Sequence, residues 1–150
     1  MDRVGNFCSR TLVTATLEAS VKDAALLMRK HHVGAVVVVD AHDAVRRPLG
    51  IVTDRDIVVE VVAAGLAPDA VRVSEILQRS PIVINEGASG AETIRLMSVN
   101  GIRRVPVVDN QGALVGIVSY DDVMVQWVGP MVALADLAGR ERAFEKNVRT

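Results

Sequence analysis

Two short stretches set a hydroxyl, two spacers and a carboxylate in a row: Thr53-Asp54-Arg55-Asp56 and Ser119-Tyr120-Asp121-Asp122. At that spacing the pair caps a helix start, the hydroxyl accepting from the third residue's N–H and the acid reaching back to the cap. Ser20-x-x-Asp23 and Ser89-x-x-Glu92 show the same spacing with no ligand implied. A cap and a binding group are compatible roles for one side chain, and spacing alone leaves both open. Arg103-Arg104 precede the valine-rich stretch 105–108. Charge entering a buried strand is costly unless paired. Alternation sends the two side chains to opposite faces. The three histidines, His31, His32 and His42, make a poor metal set, because neighbours on a helix point about 100° apart. No His-Glu-x-x-His, glycine-rich phosphate loop or Gly-x-Ser-x-Gly is present. Neither acidic motif holds a histidine or lysine base, so no catalytic set and no metal site is expected.

The elements that position these groups occur twice. Val36-Val37-Val38-Val39-Asp40 returns as Val105-Pro106-Val107-Val108-Asp109. Gly50-Ile51-Val52-Thr53 returns as Gly116-Ile117-Val118-Ser119. Asp40 and Asp109 are 69 positions apart and Gly50 and Gly116 are 66 apart, so the intervening loop is three residues shorter in the second copy. Two copies are too few for a solenoid and read as two like units packed together, with a cleft between them. In the first, strands are expected at 12–14, 36–39 and 49–52. A helix starts at Ser20 and ends in His31-His32-Val33-Gly34, and another runs from Thr53 to about Ala64, stopped by Gly65. In the second, a turn at 73–77 leads to strands at 81–84, 102–108 and 114–118. One helix runs from Ser89 to Asn100-Gly101, and another starts at Ser119. Gly129-Pro130 is expected to break that last helix. Residues 131–146 then form a separate amphipathic stretch with Met131, Leu134, Leu137 and Phe144 at near-helical spacing. Leu66 to Arg72, with Pro68, is a short link.

This doubled pattern resembles the CBS domain, and two in tandem resemble a Bateman module. The strand ending in Asp, the glycine-led strand running into Thr or Ser, two spacers and Asp, and the helix with Met28 or Met97 near its end carry the likeness, over about residues 4–125. It implies an α+β fold. Each repeat is a small, mainly three-stranded sheet with two helices on one face, and a pseudo-two-fold axis relates them. The repeats are 4–65 and 73–128, with 129–150 as a C-terminal helical extension.

The resemblance also implies a function: a regulatory module that binds an adenosine-containing ligand between the repeats and signals by changing shape. The ligand class spans AMP, ADP, ATP, S-adenosylmethionine and NAD-like dinucleotides, with no cofactor required. Asp56 and Asp122 would hold ribose hydroxyls, a carboxylate offering two acceptors to a vicinal diol. Thr53 and Ser119 would meet phosphate, where the helix start adds free N–H donors and a favourable dipole. Arg55 and one of Arg103 and Arg104 are candidates for phosphate, with Ala35 and Val83 completing the nucleotide set. Pro106 would lie beside adenine, since proline marks a break in strand pairing. The first copy has Gly34-Ala35 where the second has Arg103-Arg104, and Asp121 stands where the first has Arg55. A dominant site is expected in the second half, around Ser119, Asp122, Pro106 and the arginines, although an arginine could serve either cleft. The alternative is a ligand-free structural or dimerisation module.

Bulk properties agree. The chain has 150 residues, half of them hydrophobic, with 3% aromatics and a net charge of −1. That is enough chain to bury roughly 68–70% of its unfolded surface. The charge gives no field to steer nucleic acid or an acidic membrane, and the few aromatics make no stacking platform for single strands. Cys8 is the single cysteine, so no internal disulfide forms. No apolar run approaches ~18 residues and no signal peptide is visible. A cytoplasmic homodimer acting on an unknown regulated protein in trans is expected.

Overall fold

The computed structural model describes residues 2–77 and 81–148, without the side chains of 138, 139 and 141–148. The fold is α+β. Chain order is α1 (Val4–Phe7), β1 (Thr14–Ala15), α2 (Val21–His31), β2 (Ala35–Val39), β3 (Pro48–Thr53), α3 (Asp54–Ile57), a π-helical turn at Val58–Val62, then α4 (Val73–Ile76), β4 (Ile84–Asn85), α5 (Gly90–Asn100), β5 (Arg104–Val108), β6 (Leu114–Ser119) and α6 (Tyr120–Val148). Two three-stranded sheets form, ordered β1-β2-β3 and β4-β5-β6. In each, the short first strand runs parallel to the central one and the third runs antiparallel.

The valine run of β2 is buried along its whole length because alternate side chains feed two different layers. Val36 and Val38 join the first core with Val21, Ala24, Met28, Ile57 and Val61. Val37 and Val39 face the other way and meet Leu114 of the second repeat, with Leu12, Ile51 and Ile117 packed alongside. In β5, Val105 and Val107 enter the second core beside Ile84, Met97, Val118 and Val123. β3 and β6 alternate between buried and half-buried residues, with one face on a core and the other toward the seam.

Four helix starts follow the expected reciprocal capping, at Ser20, Thr53, Ser89 and Ser119. α5 closes on Gly101 in the left-handed region, at φ 63°, where glycine meets no Cβ penalty. His32 takes that place after α2, at φ 54°.

Several expectations need correction. Gly129-Pro130 does not break α6, which continues through it to Val148. Pro130 removes one N–H from the ladder. Gly129, having no Cβ, avoids the clash that usually drives the residue before proline out of the helical region. The helix after Thr53 is α-helical only to Ile57 and then widens to a π turn, where four valines lie within five residues; β-branched side chains crowd a tight turn. Of the strand expected at 81–84 only Ile84 is paired, together with Asn85 just beyond it. Along the tail, Met131, Leu134 and Leu137 are exposed, so this chain's own module does not cover that stripe; the side chain of Phe144 lies outside the described residues.

The two repeats also exchange their leading segments. Val4 and Cys8, ahead of the first repeat's strands, are buried in the second core. Val4 N–H donates to Ala88 O at 2.8 Å, and Ser9 exchanges two backbone hydrogen bonds with Ile117. Reciprocally, Val71 and Val73 lie in the first core, and Val73 N–H donates to Ala19 O at 2.8 Å.

Candidate functional site

The strand proline creates an opening. In the first repeat, Val37 N–H donates to Val13 O at 3.0 Å. The equivalent donor in the second repeat would be residue 106, which is proline and has no N–H. The bond from position 106 to Ile82 O is therefore never made, β4 begins only at Ile84, and Pro81 and Ile82 are left to line a cavity. The cavity measures about 590 Å³, within the ~300–1,000 Å³ range of small-molecule sites.

Its walls come from both repeats. One side is the first helix start, with Thr53, Asp54, Arg55 and Asp56 above Gly50 and Ile51 of β3; the other is Ile102, Arg103, Arg104 and Pro106 on and before β5. The pairing of motifs is thus crossed. The strand proline and both arginines face the first hydroxyl–acid motif. Sequence groups them with Ser119 and Asp122; in the fold β5 and β3 meet across the seam, and Ser119 pairs with Arg104 within the second sheet. Ser119 and Asp122 are half-buried and lie outside this cavity's lining, as do Ala35 and Val83. Ala35 is buried opposite Thr53 in the sheet register. Val83, 37% exposed, sits just before β4.

At the first motif, Asp56 Oδ2 accepts from Thr53 N–H at 2.8 Å and from Thr53 Oγ1 at 2.9 Å, while Asp56 N–H donates back to Oγ1 at 3.2 Å. The threonine hydroxyl is thereby committed to the cap, and among the described residues Oδ1 of Asp56 has no hydrogen-bond partner. The second motif repeats the arrangement at 2.7, 2.7 and 3.2 Å. The residue after each hydroxyl anchors the foot of the central strand: Asp54 N–H donates to Gly34 O at 3.0 Å, and Tyr120 N–H to Arg103 O at 2.7 Å.

Three arginines and two aspartates line the cavity. Asp54 and Arg104 converge on the space beside Gly34. A Cβ there would lie 3.0 Å from Arg104 Nη2 and 3.1 Å from Asp54 Oδ2. The cavity residues beyond the expected set, among them Ile51, Asp54, Pro81, Ile82 and Ile102, carry no motif of their own. The offset of 69 between copies is the signal that could have found Ile82, as the position matching Val13. Among the described residues, no group of three or more histidine, cysteine or acidic side chains is placed to hold a metal ion, and no helix is long and apolar enough to cross a membrane.

Two like repeats with a polar cavity walled by both define a paired module rather than two independent domains. A family model for the CBS domain matches residues 4–63 and 73–128, and the chain belongs to that family. It is 37% identical over 121 residues to an uncharacterized protein of Methanopyrus kandleri, covering 81% of this chain and 60% of that protein. Among solved structures it is similar to a CBS domain protein from Pyrobaculum aerophilum complexed with AMP, at 29% identity and TM-score 0.74, covering 81% of this chain and 89% of the other. It is also similar to a CBS domain pair in complex with 5′-methylthioadenosine and S-adenosyl-L-methionine, at 28% identity and TM-score 0.76, covering 87% and 98%.

Proposed function

We propose that this chain is a sensing module for an adenosine-containing ligand, bound in the cavity between the first helix-start motif and the second repeat's central strand. The observation that carries this reading is the convergence of Thr53 and Asp56 with Arg103, Arg104 and Pro106 around one cavity. Each group has a chemical part. Oδ1 of Asp56, which the cap leaves free, has two acceptor sites that suit ribose hydroxyls. The arginines suit phosphate or another anionic group. Ile82 and Pro106 offer an apolar edge for the base, where the missing strand N–H leaves backbone free to read it. That two similar pairs are complexed with AMP and with 5′-methylthioadenosine and S-adenosyl-L-methionine supports the ligand class. No catalytic role is assigned to any residue: the module acts by differential binding, and its output is limited to the ligand's difference in affinity for two shapes.

Calorimetric titration with AMP, ATP, S-adenosylmethionine and NAD tests the reading. Ligand at 100 times its dissociation constant should add roughly 2.7 kcal/mol of stability. Asp56→Ala should cost more affinity than Asp122→Ala, by over tenfold, since a hydrogen bond to a charged acceptor contributes roughly 1.5–3 kcal/mol. If both variants bind like the wild type, the ligand is not in this cavity. If no adenosine compound binds at millimolar concentration, the nucleotide reading fails.

A second reading, compatible with the first, is dimerisation. Val58, Val59 and Val62 are exposed, and so are Met124, Val125 and Val128, the residues 66 positions on. Both repeats thus present the same apolar helix face, which suits a second copy of the chain and, through it, a regulated protein in trans.

A further inference from the structure

The two copies fill one position in opposite ways. At the foot of the central strand the first has Gly34 and the second Arg103; the residue that opens the following helix is Asp54 in one and Tyr120 in the other. The backbone contact is shared, N–H of Asp54 to Gly34 O and N–H of Tyr120 to Arg103 O. The side chains differ. The guanidinium carbon of Arg103 lies 5.4 Å from the centroid of the Tyr120 ring, within cation–π range. Arg104, from the same strand, instead reaches the space beside Gly34, where Asp54 also points. So one cavity arginine shares its corner with a carboxylate, and the other rests on a neutral ring. A guanidinium held over a neutral ring forms no hydrogen bond to it through its N–H groups and keeps them for an anion.

We propose that Tyr120 is a positioning and specificity residue: its ring holds Arg103 at the cavity as the cation that reads the ligand's anionic group, while Arg104 is turned to the space beside Gly34 that Asp54 also approaches. This rests on the nucleotide reading above, and it adds that discrimination between phosphorylated and neutral ligands is set by a residue outside the cavity lining. Tyr120 is 44% exposed, so shortening it opens no hole in the core.

The test titrates wild type, Tyr120→Phe, Tyr120→Leu and Arg103→Met with AMP, adenosine and inorganic pyrophosphate, each variant checked for an unchanged melting temperature. Phe keeps the ring and should bind like the wild type. Leu should weaken AMP and pyrophosphate by about two- to fivefold, the worth of an exposed cation–π contact, and Met at 103 by about tenfold or more. Adenosine should be unaffected throughout. Equal losses for AMP and adenosine, a Phe variant as weak as Leu, or an Arg103→Met protein with full pyrophosphate affinity would each overturn the assignment. Wild type that binds pyrophosphate but not AMP, with the same variant pattern, would uphold the role of Tyr120 and refute the nucleotide reading. Binding of neither refutes both.

Discussion

At the scale of single residues, two glycines show how surroundings decide the outcome of one substitution. A Cβ at Gly116 would lie 2.7 Å from Cys8 Sγ and 3.0 Å from the backbone oxygen of Ser9. The arm that carries both is pinned to β6 by the Ser9–Ile117 hydrogen bonds, so neither can retreat. Gly116→Ala should therefore cost about 1–3 kcal/mol, the usual penalty of overpacking, measurable by urea denaturation. Gly34→Ala meets only the ends of two side chains, which can swing away. It should leave the fold intact and change nucleotide affinity by displacing Arg104; a large loss of stability in that variant would contradict the picture. The caps add a pH dependence. The backbone N–H of Ser89, then its hydroxyl, hold the Glu92 carboxyl below its ordinary value. A carboxylate whose folded pKa is depressed contributes stability above its unfolded pKa of about 4.3 and loses it as pH falls through the folded value. Glu92→Gln should flatten that part of the acid-denaturation profile, as read by chemical denaturation between about pH 3 and 6. Cys8 is affected in the other direction, burial raising the pKa of its thiol and leaving it neutral at ordinary pH.

At the scale of elements, α6 is the largest departure from the repeat. Its counterpart in the first copy is α3 with the π turn, which gives way to the turn at Gly65, at φ 69°. α6 runs for 29 residues. Along it Met124, Trp127, Met131 and Leu134 recur at alternating spacings of three and four and are 40%, 38%, 65% and 65% exposed, a stripe of the kind that packs against another helix. Removing residues 129–150 should lower the mass of the particle by light scattering if this stripe joins two chains. An unchanged mass and melting temperature would take the tail out of the assembly. Pro130 bears on the same element: replacing it by Ala restores a hydrogen bond and should favour the helix locally by up to about 3 kcal/mol, seen as slower amide exchange around residues 126–134.

At the scale of the whole molecule, the exchanged arms make the two repeats one cooperative body. Val4, fully buried in the second core, precedes every strand of the first repeat. Deleting residues 2–10 removes that side chain, whose burial stabilises by about 1.5–3 kcal/mol, together with the backbone pairing to Glu86, Ala88 and Ile117. Amide exchange should therefore accelerate most across β4 to β6, in the repeat farther along the chain. Acceleration confined to β1 to β3 would show that the arm supports its own repeat instead. The same exchange ties the cavity to the body, because the segment that leads to Pro81 and Ile82 is anchored on the first core by Val71 and Val73.

The capping boxes, the buried valine strands, the doubled order of elements and the family were legible in the residues, because each depends on contacts a few positions apart or on a pattern stated twice. Thr53 and Asp56 were legible as candidates for the same reason, and Arg103, Arg104 and Pro106 through the resemblance to CBS domains. What could not be read was which of them face one another. Alternation along β5 says that neighbouring side chains diverge, but not that the strand meets β3 across the seam and brings the arginines and proline into one cavity with Thr53 and Asp56. The crossing of the arms was hidden likewise, since Val4 and Val73 are ordinary apolar residues whose partners lie far along the chain. Gly129-Pro130 misled in the opposite sense: a local rule forecast a break, and the rest of the helix carried through it. Local chemistry is written in the order of residues; the pairing of two equivalent surfaces is decided only when the repeats pack, because the sequence scores both pairings alike and only the closed seam separates them.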